Sequence, residues 1–294
     1  MHIDTFFKYL KFEKRYSQNT IRAYSDDLNQ FVQFIQNNTE DFINNQIIDN
    51  HVIIRSWLIF LFKSNHSATT IRRKISSLRK YYKFLMQNNF INKNPLDKII
   101  SPKTNKNIPN FIKTEEIQNL FEIIEFKNNL QGARDRAILE ILYNTGIRLS
   151  ELINLKNTDI YFSSNTIKVV GKRNKERIIP YSESLNESIT KYIIKKEENS
   201  FSSDFFILTN KGQKSYPKLI YRVVTKYLSR ITTSENKNPH ILRHTYATHL
   251  LNNGADLNAV KELLGHANLS ATQIYTHNTF KKINKIYKLA HPRA

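Results

Sequence analysis

A histidine and an arginine three positions apart, His240 and Arg243, stand just after Asn238-Pro239. Asn as a cap with proline in the first turn is a helix start. The pair is therefore expected on one face near a helix N-terminus, where backbone amides and the dipole favour a phosphate. A second arginine, Arg148, lies in Thr145-Gly146-Ile147-Arg148-Leu149-Ser150-Glu151-Leu152. By itself it reads as part of an amphipathic helix, salt-bridged to Glu151. Beside Arg243 it offers a second planar fork for the non-bridging oxygens of a phosphate. A His-x-x-Arg pair alone is common in proteins, and His244 and His249 read as packed or surface histidines. His266 follows Leu263-Leu264-Gly265 and on its own is a helix-end histidine. Tyr275, nine residues further on, is one of 15 tyrosines with nothing intrinsic to mark it.

The elements that must position these residues are mostly helical. Ile21, Tyr24, Leu28, Phe31 and Ile35 recur at steps of three and four, one buried helical face, with Ser17 or Asn19 as its cap. Ile71, Ile75, Leu78, Tyr82 and Leu85 repeat the pattern. Arg72, Arg73, Arg79, Lys80 and Lys83 fall on another face of that second helix, and no acid interrupts Ser67 to Lys83. A one-signed stripe without alternating Glu–Lys pairs points to contact with a nucleic-acid backbone; the bland alternative is a solvated face. Residues 100–109 turn polar, with two prolines and no periodicity, and predict an interdomain linker. Beyond it Thr114, with Glu115 and Glu116, predicts a capped helix start, and residues 133–155 read as helix. Asn165–Val170 and Glu176–Pro180 are β-branched runs around a charged turn, a hairpin signal. Four of the 6 glycines (Gly146, Gly171, Gly254, Gly265) lie in or beside the segments named above, which suggests tight turns that bring side chains together.

The chain carries 45 Lys and Arg against 25 Asp and Glu, a formal charge of +20. So large an excess favours a polyanionic partner. Residues 1–100 hold 15 basic and 8 acidic side chains and the rest 30 and 17, so both halves are basic, as two lobes gripping one duplex would be. With 0 cysteines, disulfides, thiolate metal sites and cysteine nucleophiles are excluded for these residues. The start, Met1-His-Ile-Asp-Thr-Phe-Phe-Lys, predicts no signal peptide. The longest apolar stretch, Trp57 to Phe62, is too short to span a bilayer. A soluble, cytoplasmic protein without membrane contact is expected.

The order and spacing of Arg148, His240, Arg243, His266 and Tyr275 closely resemble the tyrosine recombinases, and within them the Xer type. The resemblance covers nearly the whole chain, including Ser17-Gln-Asn-Thr20-Ile-Arg22-Ala-Tyr24 and the ending Ala290-His291-Pro292-Arg293-Ala294. That ending is similar to the Xer proteins rather than to phage or transposon integrases. Phe280 and the Ile286-Tyr287 tail lean to the XerC branch. The resemblance implies a mainly α fold with a small β-hairpin or sheet, in two domains. These are a helical, SAM-like core-binding domain over 1–100 and, after a linker over 101–108, a mixed α/β catalytic domain over 109–294. It implies Tyr275 as the nucleophile that joins a DNA 3′-phosphate, Arg148 and Arg243 on the phosphoryl oxygens, and His240 as proton acceptor. Lys172 at Gly171-Lys172 is implied as proton donor, with Lys175 as competitor, and His266 as hydrogen-bond donor. Many relatives have Gly-Lys-Gly where this chain has Gly171-Lys172-Arg173.

The chemistry is coherent, since guanidiniums stabilise the charge that develops on a reacting phosphoryl group. A phosphotyrosine conserves bond energy, and no Walker-type loop or clustered acidic metal site is found, so neither cofactor nor metal is expected. The partners implied are a double-stranded DNA recombination site and a paralogous Xer recombinase in a heterotetramer. The last helix would dock on a neighbouring subunit, with room for a septal DNA translocase. Strand exchange through a Holliday junction would resolve chromosome dimers. Two alternatives are an integrase or invertase of a mobile element, and a DNA-binding protein that has lost catalysis.

Overall fold

The computed structural model describes residues 2–38, 51–103, 111–171, 175–265 and 277–293, with side chains of 38 and 277–283 not described. The chain divides into two compact units, Met1–Asn107 and Ile108–Ala294. Among the described residues no helix is long and apolar enough to cross a membrane. Residues 104–109 of the expected linker lie outside the described residues.

The first unit is helical: α1 (Ile3–Lys8) continued by a π-helical turn Tyr9–Glu13, then α2 (Gln18–Asn38), α3 (His51–Lys63) and α4 (Ala68–Gln87). Ser17 caps α2, accepting from the Thr20 N–H at 3.3 Å, and Ser67 caps α4. The apolar faces of α2 and α4 meet: Leu28, Phe31 and Ile35 are buried with Ile71, Ile75, Leu78, Tyr82 and Leu85. A polar cluster is set into this contact. Asp27, 1% exposed, accepts from Arg73, from Lys74 Nζ at 3.2 Å and from Ser77 Oγ at 2.7 Å. Three donors offset the cost of burying that carboxylate.

The second unit packs α5 (Thr114–Glu122), α6 (Leu130–Thr145), α7 (Leu149–Asn154), α8 (Glu183–Glu198), α9 (Pro217–Leu228), α10 (Pro239–Asn252), α11 (Leu257–Leu264) and α12 (His277–Ala290) with a three-stranded antiparallel sheet. The strands are β1 (Ile160–Tyr161), β2 (Thr166–Val170) and β3 (Glu176–Pro180). The expected hairpin is β2–β3, closed where the Gly171 N–H meets the Lys175 carbonyl at 2.8 Å, and β1 adds a third strand. In that register Val169 opposes Arg177 and Ile167 opposes Ile179. α6, buried on nearly every face from Ala137 to Thr145, is the centre of the core.

Two sequence expectations need correction. The helix after the linker begins at Thr114 but is capped one residue earlier, where Glu116 reaches back to the Lys113 N–H at 2.9 Å. Residues 133–155 are two helices, not one. Gly146 ends α6 in the left-handed region (φ 58°), and a Cβ there would stand 2.4 Å from the Tyr246 ring. The end of the last helix packs within the second unit. Tyr287, Ala290 and His291 are buried, the His291 ring stacks on Tyr287 at 4.9 Å, and Asn253 Nδ2 donates to the Ala290 carbonyl.

Removing Asp27 takes the counter-charge from Lys74, whose side chain is 3% exposed, and leaves its Nζ donating to Gln30 Oε1. Asp27→Ala should therefore lower local stability by about 3 kcal/mol. Hydrogen exchange of α2 and α4 amides in the full chain measures this; unchanged protection would mean that the cluster contributes nothing.

Candidate active site

The break at Gly146 decides where Arg148 goes. Ile147 is buried, and Arg148 takes extended backbone (φ −76°, ψ 153°) as N-cap of α7. It is thus a residue of a turn, not of a helical face as the sequence suggested. The salt bridge to Glu151 is present, Nη1 to Oε1 at 2.9 Å, and the Arg148 backbone N–H also donates to Glu151 Oε2 at 2.7 Å. The remaining amino group, Nη2, donates to the Gly265 carbonyl at 3.0 Å.

Arg243 arrives from α10. Asn238 caps this helix, accepting from the His240 and Ile241 N–H groups, with Pro239 in its first turn. Arg243 Nη2 donates to the Leu264 carbonyl at 2.7 Å, and Nη1 to the carbonyl of Gly146. Two arginines 95 positions apart in sequence therefore meet on neighbouring carbonyls, Leu264 and Gly265, at the end of α11. His240 lies on the same side of α10 and is exposed at the surface.

A third arginine joins them. Arg177 on β3 donates Nε to the Leu263 carbonyl at 2.9 Å, and its two amino groups to Oε1 and Oε2 of Glu151 at 2.9 Å each. Its side chain is 5% exposed, that of Glu151 2%, while that of Arg148 remains 34% exposed. The last carbonyls of a helix have no partner within it and carry the negative end of its dipole. Here three successive ones each receive a guanidinium. Gly265, with φ 65°, is the left-handed cap, and a Cβ on it would lie 3.1 Å from Arg177 Nη1.

Electrostatics follow from this crowding. Burial, then the charges of Arg148 and Arg177, push Arg243 down to about 10. Burial alone would raise the Glu151 carboxyl, but the hydrogen bonds and charge of Arg177, with the two bonds from Arg148, hold it down at about 2. Among the described groups, Arg243 and the two guanidiniums acting on it face one carboxylate, Glu151. Such a cluster calls for a further anion.

Of the other expected residues, Lys172, His266 and Tyr275 lie outside the described residues; Lys175, the competitor of Lys172, is exposed at the base of the hairpin. His249 is buried, with Nδ1 3.0 Å from the Tyr143 hydroxyl, the packed role expected of it. On α4, Arg72, Arg73, Arg79, Lys80 and Lys83 all lie at the surface. Arg73 is tied to Asp27, and Arg79 donates to the Ile99 carbonyl at 3.3 Å. Sequence reasoning missed Arg177 altogether. It weighed Glu151 only as a salt-bridge partner, and did not see that the carboxylate has two arginines. Among the described residues no group of His, Asp or Glu is arranged to hold a metal ion.

Comparison with known proteins agrees with this architecture. The phage integrase family matches residues 110–282, and the phage integrase N-terminal SAM-like domain matches residues 3–89. The chain belongs to the phage integrase family of tyrosine recombinases. Tyrosine recombinase XerC of Staphylococcus epidermidis is 40% identical over 292 residues, covering 99% of this chain and 97% of that protein. XerC of Oceanobacillus iheyensis is 39% identical over 100% of this chain and 97% of its own length. The recombinase described here is thus of the Xer type and leans to XerC, a site-specific enzyme that cuts and rejoins DNA. The fold is shared with solved structures. One is XerH bound to its difH substrate before cleavage (TM-score 0.69, 21% identity, 98% of this chain and 82% of that one). Another is the Tn1549 transposon integrase with transposon right end DNA (TM-score 0.73, 19% identity, 97% and 99%).

The low position of Glu151 has a consequence for acid stability. Its folded value, about 2, lies below the ordinary carboxylate range, so the pair stabilises the recombinase fully above that range. The contribution declines as pH falls from the ordinary range through about 2. In urea unfolding from pH 6 to pH 3, Glu151→Gln should show a lower but flatter pH dependence than wild type. Parallel curves would show that Glu151 is not held in its charged form.

Proposed function

We propose that this recombinase joins Tyr275 to a DNA 3′-phosphate and exchanges strands through a Holliday junction, with residues 1–100 as its core-binding domain and 109–294 as its catalytic domain. The tyrosine oxygen attacks phosphorus, a P–O bond to Tyr275 forms, and the bond to the 5′-oxygen breaks. His240 accepts the phenolic proton, and Lys172 supplies one to the departing 5′-oxygen. Arg148 and Arg243 neutralise the non-bridging oxygens while charge builds on them, and His266 adds a hydrogen bond. The bond energy stays in the phosphotyrosine, so attack by a 5′-hydroxyl reverses the step and rejoins the strand.

The observation that carries this reading is the pair of guanidiniums on adjacent carbonyls, Arg243 on Leu264 and Arg148 on Gly265, in a site with excess positive charge. Those carbonyls immediately precede His266 in the chain. Arg148 keeps about a third of its side chain open to solvent, as a phosphate ligand must. On α4 the exposed Arg72, Arg73, Arg79, Lys80 and Lys83 are proposed to contact the DNA backbone. The substrate is a duplex recombination site at which chromosome dimers are resolved in the cytoplasm. The partner is a paralogous recombinase in a heterotetramer, and a septal DNA translocase is a further candidate for controlling the exchange. Relatives named XerC support this over a mobile-element role.

A nicked suicide duplex carrying the host's recombination site, incubated with and without the paralogue, tests the reading. A denaturation-resistant protein–DNA adduct should form with wild type and vanish in Tyr275→Phe. An adduct that persists in Tyr275→Phe would move the nucleophile elsewhere, and tight binding without any adduct would leave a DNA-binding protein.

A further inference from the structure

Arg177 is not one of the six residues assigned chemistry above, yet it touches the segments that carry them. It stands on β3, one arm of the hairpin whose turn includes Lys172. Through Glu151 it reaches the Arg148 turn, and through Leu263 the end of α11 that leads to His266. We propose that Arg177 is a positioning residue of the recombination reaction, holding the Arg148 turn, the β2–β3 hairpin and the end of α11 in one fixed relation through Glu151 and the Leu263 carbonyl. This inference rests on the roles proposed above for Arg148 and Tyr275.

The hydrogen-bond inventory supports it. A carboxylate offers about four lone-pair sites. Those of Glu151 receive Arg177 Nη1 and Arg148 Nη1 on Oε1, and Arg177 Nη2 and the Arg148 backbone N–H on Oε2. With all four filled, its orientation has no slack. The guanidinium of Arg177 is planar and rigid, so bonds from its two amino groups to Glu151 and from Nε to Leu263 fix the angle between α7 and α11. Lysine, with one ammonium on a flexible stem, cannot reproduce that fork.

Two glycines lie close against Arg177 and its partner. The bare Cα of Gly265 lies against its side chain, where a Cβ would be 3.1 Å from Nη1 and 3.2 Å from Cδ. A Cβ on Gly171, where the hairpin turn begins, would be 3.5 Å from Glu151 Oε1 and 3.6 Å from Arg177 Nη1. At 5% exposure Arg177 does not open to solvent, in contrast to Arg148 at 34%. Its influence on a bound phosphate therefore passes through the groups it holds.

Single-turnover cleavage of the nicked duplex at saturating protein tests this, with duplex affinity and melting temperature measured on the same preparations. The variants are Arg177→Met, Arg177→Lys, Glu151→Gln and the double Arg177→Met/Glu151→Gln. A small misplacement of reacting groups slows chemistry by about 100-fold, and that is the loss expected for Arg177→Met while duplex affinity changes by less than about threefold. Arg177→Lys should recover about a tenth of the wild-type rate, since charge returns without the fork. The double variant should be no slower than the slower single, because the two residues act as one unit. Cleavage by Arg177→Met or Arg177→Lys at the wild-type rate would overturn the proposal, as would losses that multiply in the double variant. If Arg177→Met does not fold, Arg177→Lys decides, since it keeps the buried charge. A wild-type protein that forms no adduct would defeat the Tyr275 reading and this inference with it; a wild-type adduct with an unimpaired Arg177 variant defeats this inference alone.

Discussion

The C-terminal end of α11 is the point on which the site is built. A helix end leaves its last carbonyls without partners and presents the negative pole of the dipole. In this recombinase Leu263, Leu264 and Gly265 each accept from a different arginine: Arg177 on β3, Arg243 on α10 and Arg148 at the start of α7. None of these arginines is near another in sequence, so the site exists only when the whole second unit is folded. Bringing three like charges together is costly, and one carboxylate, Glu151, offsets only part of it. The residual positive charge is what the proposed phosphate would meet.

Two glycines make the arrangement possible, for different reasons. Gly146 turns the chain out of α6 in the left-handed region with the Tyr246 ring against it, so that Ile147 is buried and Arg148 emerges as a cap. Gly265 ends α11 in the same region and clears the space that Arg177 fills. The Arg177–Glu151 pair is buried, and buried pairs contribute little net stability relative to apolar packing, although losing one partner is expensive. Its value here lies in geometry, since Arg148 is held by the same carboxylate.

Much of the fold was legible in the sequence. The three-and-four spacing of Ile71, Ile75, Leu78, Tyr82 and Leu85 marks a buried face, and Asn238-Pro239 marks a helix start, because both signals are local. At Thr145 the sequence offered only the tight turn suggested by Gly146, since apolar residues continue in helical period across it and hide the end of the helix. Arg177 escaped for a subtler reason. Along β3 the side chains alternate, so Arg177 shares the inward face with Ile179, while Ile178 points outward at 38% exposure. Residue type suggested the reverse. An arginine at the inward register position of a strand was the available signal, and it implies a buried partner that only the tertiary fold supplies. Arg148 and Arg243 were paired through resemblance, whereas the carbonyls at the end of α11 on which both arginines rest were not legible.

The most direct measurement is of the three guanidinium groups themselves. Nitrogen-15 NMR of the Nε–Hε groups of Arg148, Arg177 and Arg243 can be followed in the Tyr275→Phe variant, first alone and then with the duplex recombination site. The account predicts that the Arg148 and Arg243 signals shift on DNA binding, while Arg177 keeps its position and its slow hydrogen exchange. An Arg177 signal that exchanges freely in the unbound protein, or moves with the other two on binding, would contradict the claim that it is the fixed member of the site.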